Sequence, residues 1–379
     1  MVDLRTPSFD RPGVLRHVDL LLPLLSIALA VIGTLMVYSA TRGPATDLRP
    51  AETTYMYRQG LFVVVGIGVM VIAAWFGHRR VQRLAIAIYV GLLGTLIGVL
   101  IFGVEVKGTR GWFEVGDYQL QPSEFGKIAL ITALAAVLGS SEDIGPFRLA
   151  IAVVVAGLPI AAILLQPDLG TILVYGAISA GMFLVSGVSG QFLLVLGLLL
   201  LTGLVAVLQS DVLAEYQISR LLVFVDEETS TAASYNLEQA QIAIGNGGLA
   251  GQGLFEGTQN NSDLVPEQQT DFIFTVIAEE TGFVGSAAVL VVIALLLVRV
   301  WRIGRIADDK FGLLLAAGVF SMLSFQVFQS VGMSTGIMPI TGIPLPLISY
   351  GGSSILSTFL AIGLVESVHM RRHQGSSYK

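Results

Sequence analysis

Apolar residues run in long unbroken stretches through almost the whole chain, each parted from the next by a few polar positions. A hydrocarbon core about 30 Å thick is crossed by roughly 20 residues of α-helix. Runs of that kind predict about ten helices, near 18–40, 60–77, 83–103, 124–139, 147–165, 171–188, 190–209, 272–298, 311–333 and 351–368. A membrane β-barrel would alternate apolar and polar positions in segments of about ten residues, and these runs do not alternate. The pattern breaks on a large scale at 211–270, which is polar, acidic and rich in glycine. The chain therefore reads as an all-α integral membrane protein. It forms a single polytopic domain over 1–379 with a large extracytoplasmic loop between helices 7 and 8. Loops of that length are more often functional than decorative.

Composition agrees with the pattern. Hydrophobic residues make up 54% and charged residues 13%, with a mean hydropathy of +0.78, where a soluble domain carries about 25% charged residues. The absence of cysteine excludes disulfides and thiolate chemistry. The first apolar run outlasts a signal-peptide core of about 7–15 residues, so it reads as a permanent helix despite the cleavage-like Ser39-Ala40. Lys and Arg fix the orientation. Arg79, Arg80, Arg83, Arg299, Arg302, Arg305 and Lys310 gather with both termini on one side, against the sparser Arg42, Arg49, Arg58, Lys107, Arg110 and Arg220 on the other. Both termini are thereby assigned to the cytoplasm. The net charge of −6 conceals acids outside and bases inside, which argues against nucleic acid as a partner.

Four polar elements fall on the outer face of this topology. The first runs from Lys107-Gly108-Thr109-Arg110-Gly111-Trp112 to Gln121-Pro122-Ser123-Glu124 and Lys127. Pro122 suits a helix start, and Glu124 and Lys127 share a helix face. They form either a local ion pair or part of a site; Lys127 lies inside the apolar register, where ionisable groups are costly and usually functional. The second, Gln166-Pro167-Asp168-Leu169-Gly170-Thr171, is a tight turn in which Asp168 reads first as a helix cap and second as a reserve general base. The third is the long loop itself, with Arg220, the apolar patch 221–225, Glu238, Gln239 and a glycine cluster from Gly245 to Gly257. Its apolar interruptions predict interfacial half-helices, and its glycines could present N–H groups to a phosphate. The fourth spans Gly336 to Ser354 and includes Pro339, Pro344, Pro346 and Ser349. Prolines and glycines in apolar surroundings imply non-helical backbone that must pack against protein or line a wet cavity. At the end of the long loop stands Asp271, where water meets hydrocarbon. A lone Asp there is commonly an N-cap. Glu279 lies about 80° round the same helix and about 12 Å deeper.

Taken together, these residues resemble the SEDS family (shape, elongation, division and sporulation) of bacterial cell-wall proteins. Gln121-Pro122-Ser123-Glu124, Gln166 to Thr171, Ala243 to Gly253, Pro266 to Phe274 with Glu279-Glu280, and Pro344 to Ser354 carry the match. Gly257-Thr258-Gln259 and Pro266 to Asp271 sit closer to the elongation branch than to the division branch. Gln269 stands where the family often has His, and Ser330 where it usually has Asn. The resemblance implies a peptidoglycan glycosyltransferase that polymerises lipid II, a disaccharide-pentapeptide on undecaprenyl pyrophosphate, at the outer face of the cytoplasmic membrane. It implies a class B penicillin-binding protein transpeptidase and other elongation-complex proteins as partners, and a divalent cation (Mg or Mn) with no ligand motif in view. Asp271 matches the family's essential Asp. Arg58, Arg110, Glu124, Lys127 and Arg220 fall at or near its conserved polar positions, and Lys107, Asp168, Gln239, Glu279 and Ser349 join them as substrate-binding candidates.

The chemistry fits these residue types. A sugar hydroxyl must attack an anomeric carbon while pyrophosphate departs, and a positioned carboxylate taking the hydroxyl proton contributes about 10²–10⁴ in rate. Cations placed in advance stabilise the departing charge. Two other readings stand beside this one: a flippase for the same lipid-linked precursor, and a non-catalytic scaffold for the transpeptidase. A transporter places its polar residues near the bilayer midplane, usually between repeated halves, whereas here they gather at one face and no repeat is visible.

Overall fold

The computed structural model describes residues 17–43, 52–106, 108–141, 144–195, 197–198, 202, 231–262 and 264–372. Helices α1 (Leu21–Thr41), α2 (Thr54–Phe76), α3 (His78–Phe102), α4 (Pro122–Leu138), α5 (Pro146–Leu164) and α6 (Leu169–Ser186) precede the large loop. The loop contains α7 (Thr231–Gly247) and the one-turn α8 (Thr258–Asn261). After it come α9 (Ile273–Arg305), α10 (Lys310–Thr335) and α11 (Gly352–Met370). Among the described residues, eight helices are long and apolar enough to cross a membrane: all of these except α4, α7 and α8. Helix α4 is 17 residues long and buried on nearly every side, packed against α3, α5, α6, α10 and α11. It is enclosed by protein rather than lipid. The predicted span 190–209 is helical at 190–195 and 197–198, and most of its remainder lies outside the described residues.

Burial separates centre from rim. In α11, 78% of the most apolar window is buried, against 22% in α3 and 28% in α5. Lipid tails are as apolar as leucine, so helices in a bilayer associate by close packing rather than by escape from water. The pairing of α2 with α11 illustrates this: a Cβ on Gly363 would lie 2.3 Å from the Met70 carbonyl, so only glycine permits the approach.

One element departs from the all-α expectation. Strands β1 (Val104–Val106), β2 (Thr109–Val115) and β3 (Tyr118–Leu120) form a small antiparallel sheet in the order β1-β2-β3. Gly108 and Gly116, at φ 81° and 63°, make its two tight turns, which join Val106 to Thr109 and Val115 to Tyr118. The sheet links α3 to α4 and sits over the ends of the bundle where the candidate site lies.

Candidate functional site

The unwound segment between α10 and α11 organises the site. Gly336, at φ 81°, ends α10, and residues 337–351 follow without regular structure. Three prolines there remove backbone donors and forbid a helix. Several of the remaining polar groups are satisfied from outside or within the segment. Pro339 O accepts from Gln329 Nε2 at 2.8 Å, Ser349 O accepts from Gln59 Nε2 at 3.2 Å, and Leu345 N donates to Ser349 Oγ at 2.9 Å. Tyr350 N donates to Gln269 O at 2.9 Å, which ties the segment to the turn carrying Asp271. Irregular backbone at membrane depth persists where protein meets it, and here it does.

Asp271 closes that turn. Its N–H donates to Glu267 O at 3.0 Å, and Glu267 itself adopts φ 55°. Helix α9 begins two residues later, at Ile273. Asp271 is half-buried, and its Oδ2 lies 3.3 Å from where a Cβ on Gly342 would stand. On the other side of the same stretch, a Cβ on Gly170 would come within 2.6 Å of Thr341 O. Residues 341–343 are therefore sandwiched between the Asp271 turn and the Asp168 turn, with Thr341 Oγ1 buried and unpartnered. Leu237, Ala240 and Ala243 of α7 pack with Val265, Phe272 and Ile340 in a separate apolar cluster over this junction.

Asp168 is the N-cap of α6. It accepts from Thr171 N at 2.9 Å, Thr171 Oγ1 at 2.7 Å and Gln121 Nε2 at 3.3 Å. Burial raises its pKa, as does the nearby Glu124 carboxylate, while the Thr171 hydrogen bonds and Lys127 pull it back. Lys127 Nζ lies 2.7 Å from Glu124 Oε2 with both side chains buried, and Ser357 Oγ donates to the same oxygen at 3.2 Å. The pair and the cap thus form one acidic-basic cluster at the top of α4. Beside it, Tyr350 meets Tyr55 edge-on at 5.1 Å between ring centroids. Arg58, half-buried on α2, lies near the Tyr350 side chain.

The remaining candidates fall elsewhere. Arg110 is exposed on β2, its guanidinium 3.5 Å from Leu100 O. Gln239 is half-buried on α7. Lys107, Arg220 and the apolar patch 221–225 lie outside the described residues. The Ser349 hydroxyl is spent on Leu345 N within its own segment. Glu279, read as a substrate contact, accepts instead from Gln259 N (2.7 Å), Asn260 N (3.0 Å) and Thr258 Oγ1 (3.2 Å), so its charge caps α8. Glu280 accepts from Ser39 Oγ and from Asn260 Nδ2. The glycine cluster has a structural task as well. Gln252 N and Gly253 N donate to Glu279 O and Glu280 O, and Phe283 N donates to Gly248 O. A Cβ on Gly251 would lie 2.1 Å from Glu280 O. These donors are satisfied by α9, at its break at Gly282 (φ 65°, ψ −165°), rather than held open for phosphate. Gln59, Gln121, Thr341 and Tyr350 were not singled out from sequence for side-chain roles; they are polar or aromatic residues whose place emerges only from the packing of distant segments.

Among the described residues no three His, Cys, Asp or Glu side chains gather as a metal cage. A Mg-type ion held by one or two carboxylates plus substrate phosphates needs no such cage, and Asp271 or Asp168 could serve that way.

Comparison with known proteins bears on this geometry. The FtsW/RodA/SpoVE family model, described as cell cycle protein, matches residues 19–374. A probable peptidoglycan glycosyltransferase FtsW of Geobacter metallireducens is 34% identical over 364 residues, covering 93% of this chain and 95% of that protein. The peptidoglycan glycosyltransferase MrdB of Escherichia coli K12 is 33% identical over 360 residues, covering 94% of each. A solved chain from work on the structural coordination of polymerization and crosslinking by a peptidoglycan synthase complex superposes with a TM-score of 0.81 at 32% identity, covering 94% of this chain and 99% of that one.

Proposed function

The chain belongs to the FtsW/RodA/SpoVE family, and on that premise we propose that it is a peptidoglycan glycosyltransferase that polymerises lipid II during cell elongation, with Asp271 as its general base. The observation that carries this reading is Asp271, half-buried and with its carboxylate set close against Gly342 of the unwound segment. Because residue 342 lacks a side chain, the backbone approaches and fixes that carboxylate. A sugar hydroxyl docked beside it would give its proton to Asp271 as it attacks the anomeric carbon of the second substrate. Arg58 lies at the same end of the bundle, as a base able to meet the developing pyrophosphate charge, whereas Lys127 there is buried and already neutralised by Glu124. Arg110, Arg220 and Lys107 complete the proposed set.

Orientation follows from the arginine-rich opposite end, which the positive-inside rule assigns to the cytoplasm. The site then faces outward from the cytoplasmic membrane. A class B penicillin-binding protein is the proposed partner, as the likeness to a chain of a polymerising and crosslinking complex suggests. A divalent cation would neutralise the pyrophosphate when bound.

The test is polymerisation of lipid II by the purified protein with its cognate transpeptidase, moenomycin being present to silence unrelated glycosyltransferases. Glycan strands are the expected product. A folded, correctly assembled complex that makes no strands but moves lipid II across vesicles would give the reaction to a flippase. Rescue of an elongation-depleted strain, and not of a division-depleted one, distinguishes the RodA role from the FtsW role.

A further inference from the structure

At the end of the bundle remote from Asp271, a cavity of about 170 Å³ opens where α2 turns into α3 against the end of α11. Phe76, Gly77, Arg79, Arg80, Arg83 and Arg371 line it. A single water needs about 10–15 Å³, so this space admits a polyatomic ion.

Its four guanidinium groups are not equivalent. Arg79 is neutralised by Asp308 at 3.1 Å and Asp309 at 3.5 Å. Arg371 donates only to neutral carbonyls: Ala74 O at 2.9 Å, Trp75 O at 2.7 Å and Ser367 O at 3.2 Å. It caps the end of α2 and keeps its charge. Arg80 and Arg83 stand three apart on one face of α3 and are exposed. Among the described residues neither is in an ion pair with a carboxylate. Arg80 instead lies over the Trp75 and Phe76 rings, 5.9 and 5.6 Å from their centroids.

Clustered arginines at one end of a membrane protein follow from the positive-inside rule alone. That rule does not seat a guanidinium in a cavity wall. Gly77 does: it holds φ 89°, and a Cβ there would lie 2.5 Å from Arg371 Cζ. Trp75 is 70% exposed, and exposed tryptophan marks the headgroup level of a bilayer.

We propose that this cavity binds a phosphate-bearing anion, supplied by the phosphodiester headgroup of an acidic membrane lipid or by free phosphate. Guanidinium N–H groups match phosphate oxygens in bidentate fashion. A bound headgroup would tie the α2–α3 turn to the end of α11, and the far ends of α2 and α11 flank Arg58 and Tyr350 of the candidate site.

Native mass spectrometry of the delipidated full-length protein, offered phosphatidylglycerol, phosphatidylcholine or inorganic phosphate, tests the proposal. Three forms are compared: wild type, the Arg80→Gln/Arg83→Gln double variant, and an Arg302→Gln/Arg305→Gln control. The control removes the same charge at the same end but outside the cavity. Matching unfolding temperatures, with the single Arg83→Gln variant in reserve, guard against misfolding. Retention of phosphatidylglycerol over phosphatidylcholine should fall at least about tenfold in the cavity variant and hold in the control. If phosphate shows that dependence and phosphatidylglycerol does not, the anion is soluble and the chemistry stands. Equal phosphatidylglycerol retention in all three forms, or equal loss in both double variants, would overturn the site.

Discussion

At the Asp271 end of the bundle, irregular backbone segments gather around a few polar side chains; at the opposite end, ion pairs join the ends of regular helices. There, Asp19 joins α1 to α9 through Arg299, and its backbone N–H donates to Glu366 of α11 at 2.7 Å. His78 at the start of α3 faces Asp309 at 3.3 Å, and Asp309 caps α10 through Gly312. These contacts lock five helix ends together. Around Asp271 the anchors are instead the unwound segment, the turn at Glu267, and the glycine stretch docked on the break in α9. Ion pairs between regular helices make a clamp. A site that must surround a substrate draws on segments with no repeating geometry, each pinned from outside.

That contrast can be broken at graded cost. Lys127→Met removes the cation from the buried Glu124 pair near the site and strands Glu124, so it should destabilise by about 3–5 kcal/mol in detergent unfolding. The double variant Lys127→Met/Glu124→Gln should recover much of the loss. By contrast Arg79→Gln, in a half-exposed pair at the other end, should cost under about 1 kcal/mol. Gly282→Ala places a Cβ 2.3 Å from Gly251 N at a left-handed φ, and should cost about 2–4 kcal/mol while loosening the glycine stretch to proteolysis. Glu279→Gln exchanges a charged cap for a neutral one and should cost about 1–3 kcal/mol. The smallest effect is pH-dependent. Burial opposes the ionised form of Asp309, yet its bonds to His78 and Gly312 hold the pKa below the ordinary value. Its stabilisation is therefore complete above about pH 4 and is lost as pH falls through the lower folded value. Wild type should lose more thermal stability than Asp309→Asn on acidification below that point, and no more than it above.

The helices were legible because their signal is local: twenty apolar residues need no partner to be read. Asp168 as the cap of α6 was legible for the same reason, since Thr171 stands three residues away. Glu279 was misread because its partners, Thr258 to Asn260, approach from a loop some twenty residues upstream. The glycine cluster left both readings open, because glycine serves close backbone approach as readily as anion binding. The small sheet escaped notice because strands of three to seven residues between polar turns leave almost no periodicity. The junction at 341–343, which brings the Asp271 and Asp168 turns together, joins segments up to about 170 residues apart, and no local pattern encodes it.

Two acids flank that junction, and comparing them tests the account most directly. Polymerisation of lipid II would be followed at saturating substrate in the transpeptidase complex for Asp271→Asn and Asp168→Asn, each verified as folded. The account predicts that Asp271→Asn loses at least about 10² in rate with lipid II binding intact, while Asp168→Asn, a cap still able to accept from Thr171, stays within about tenfold. The reverse order, or equal rates for Asp271→Asn and wild type, would contradict it and move the general base to the Asp168 side of the junction.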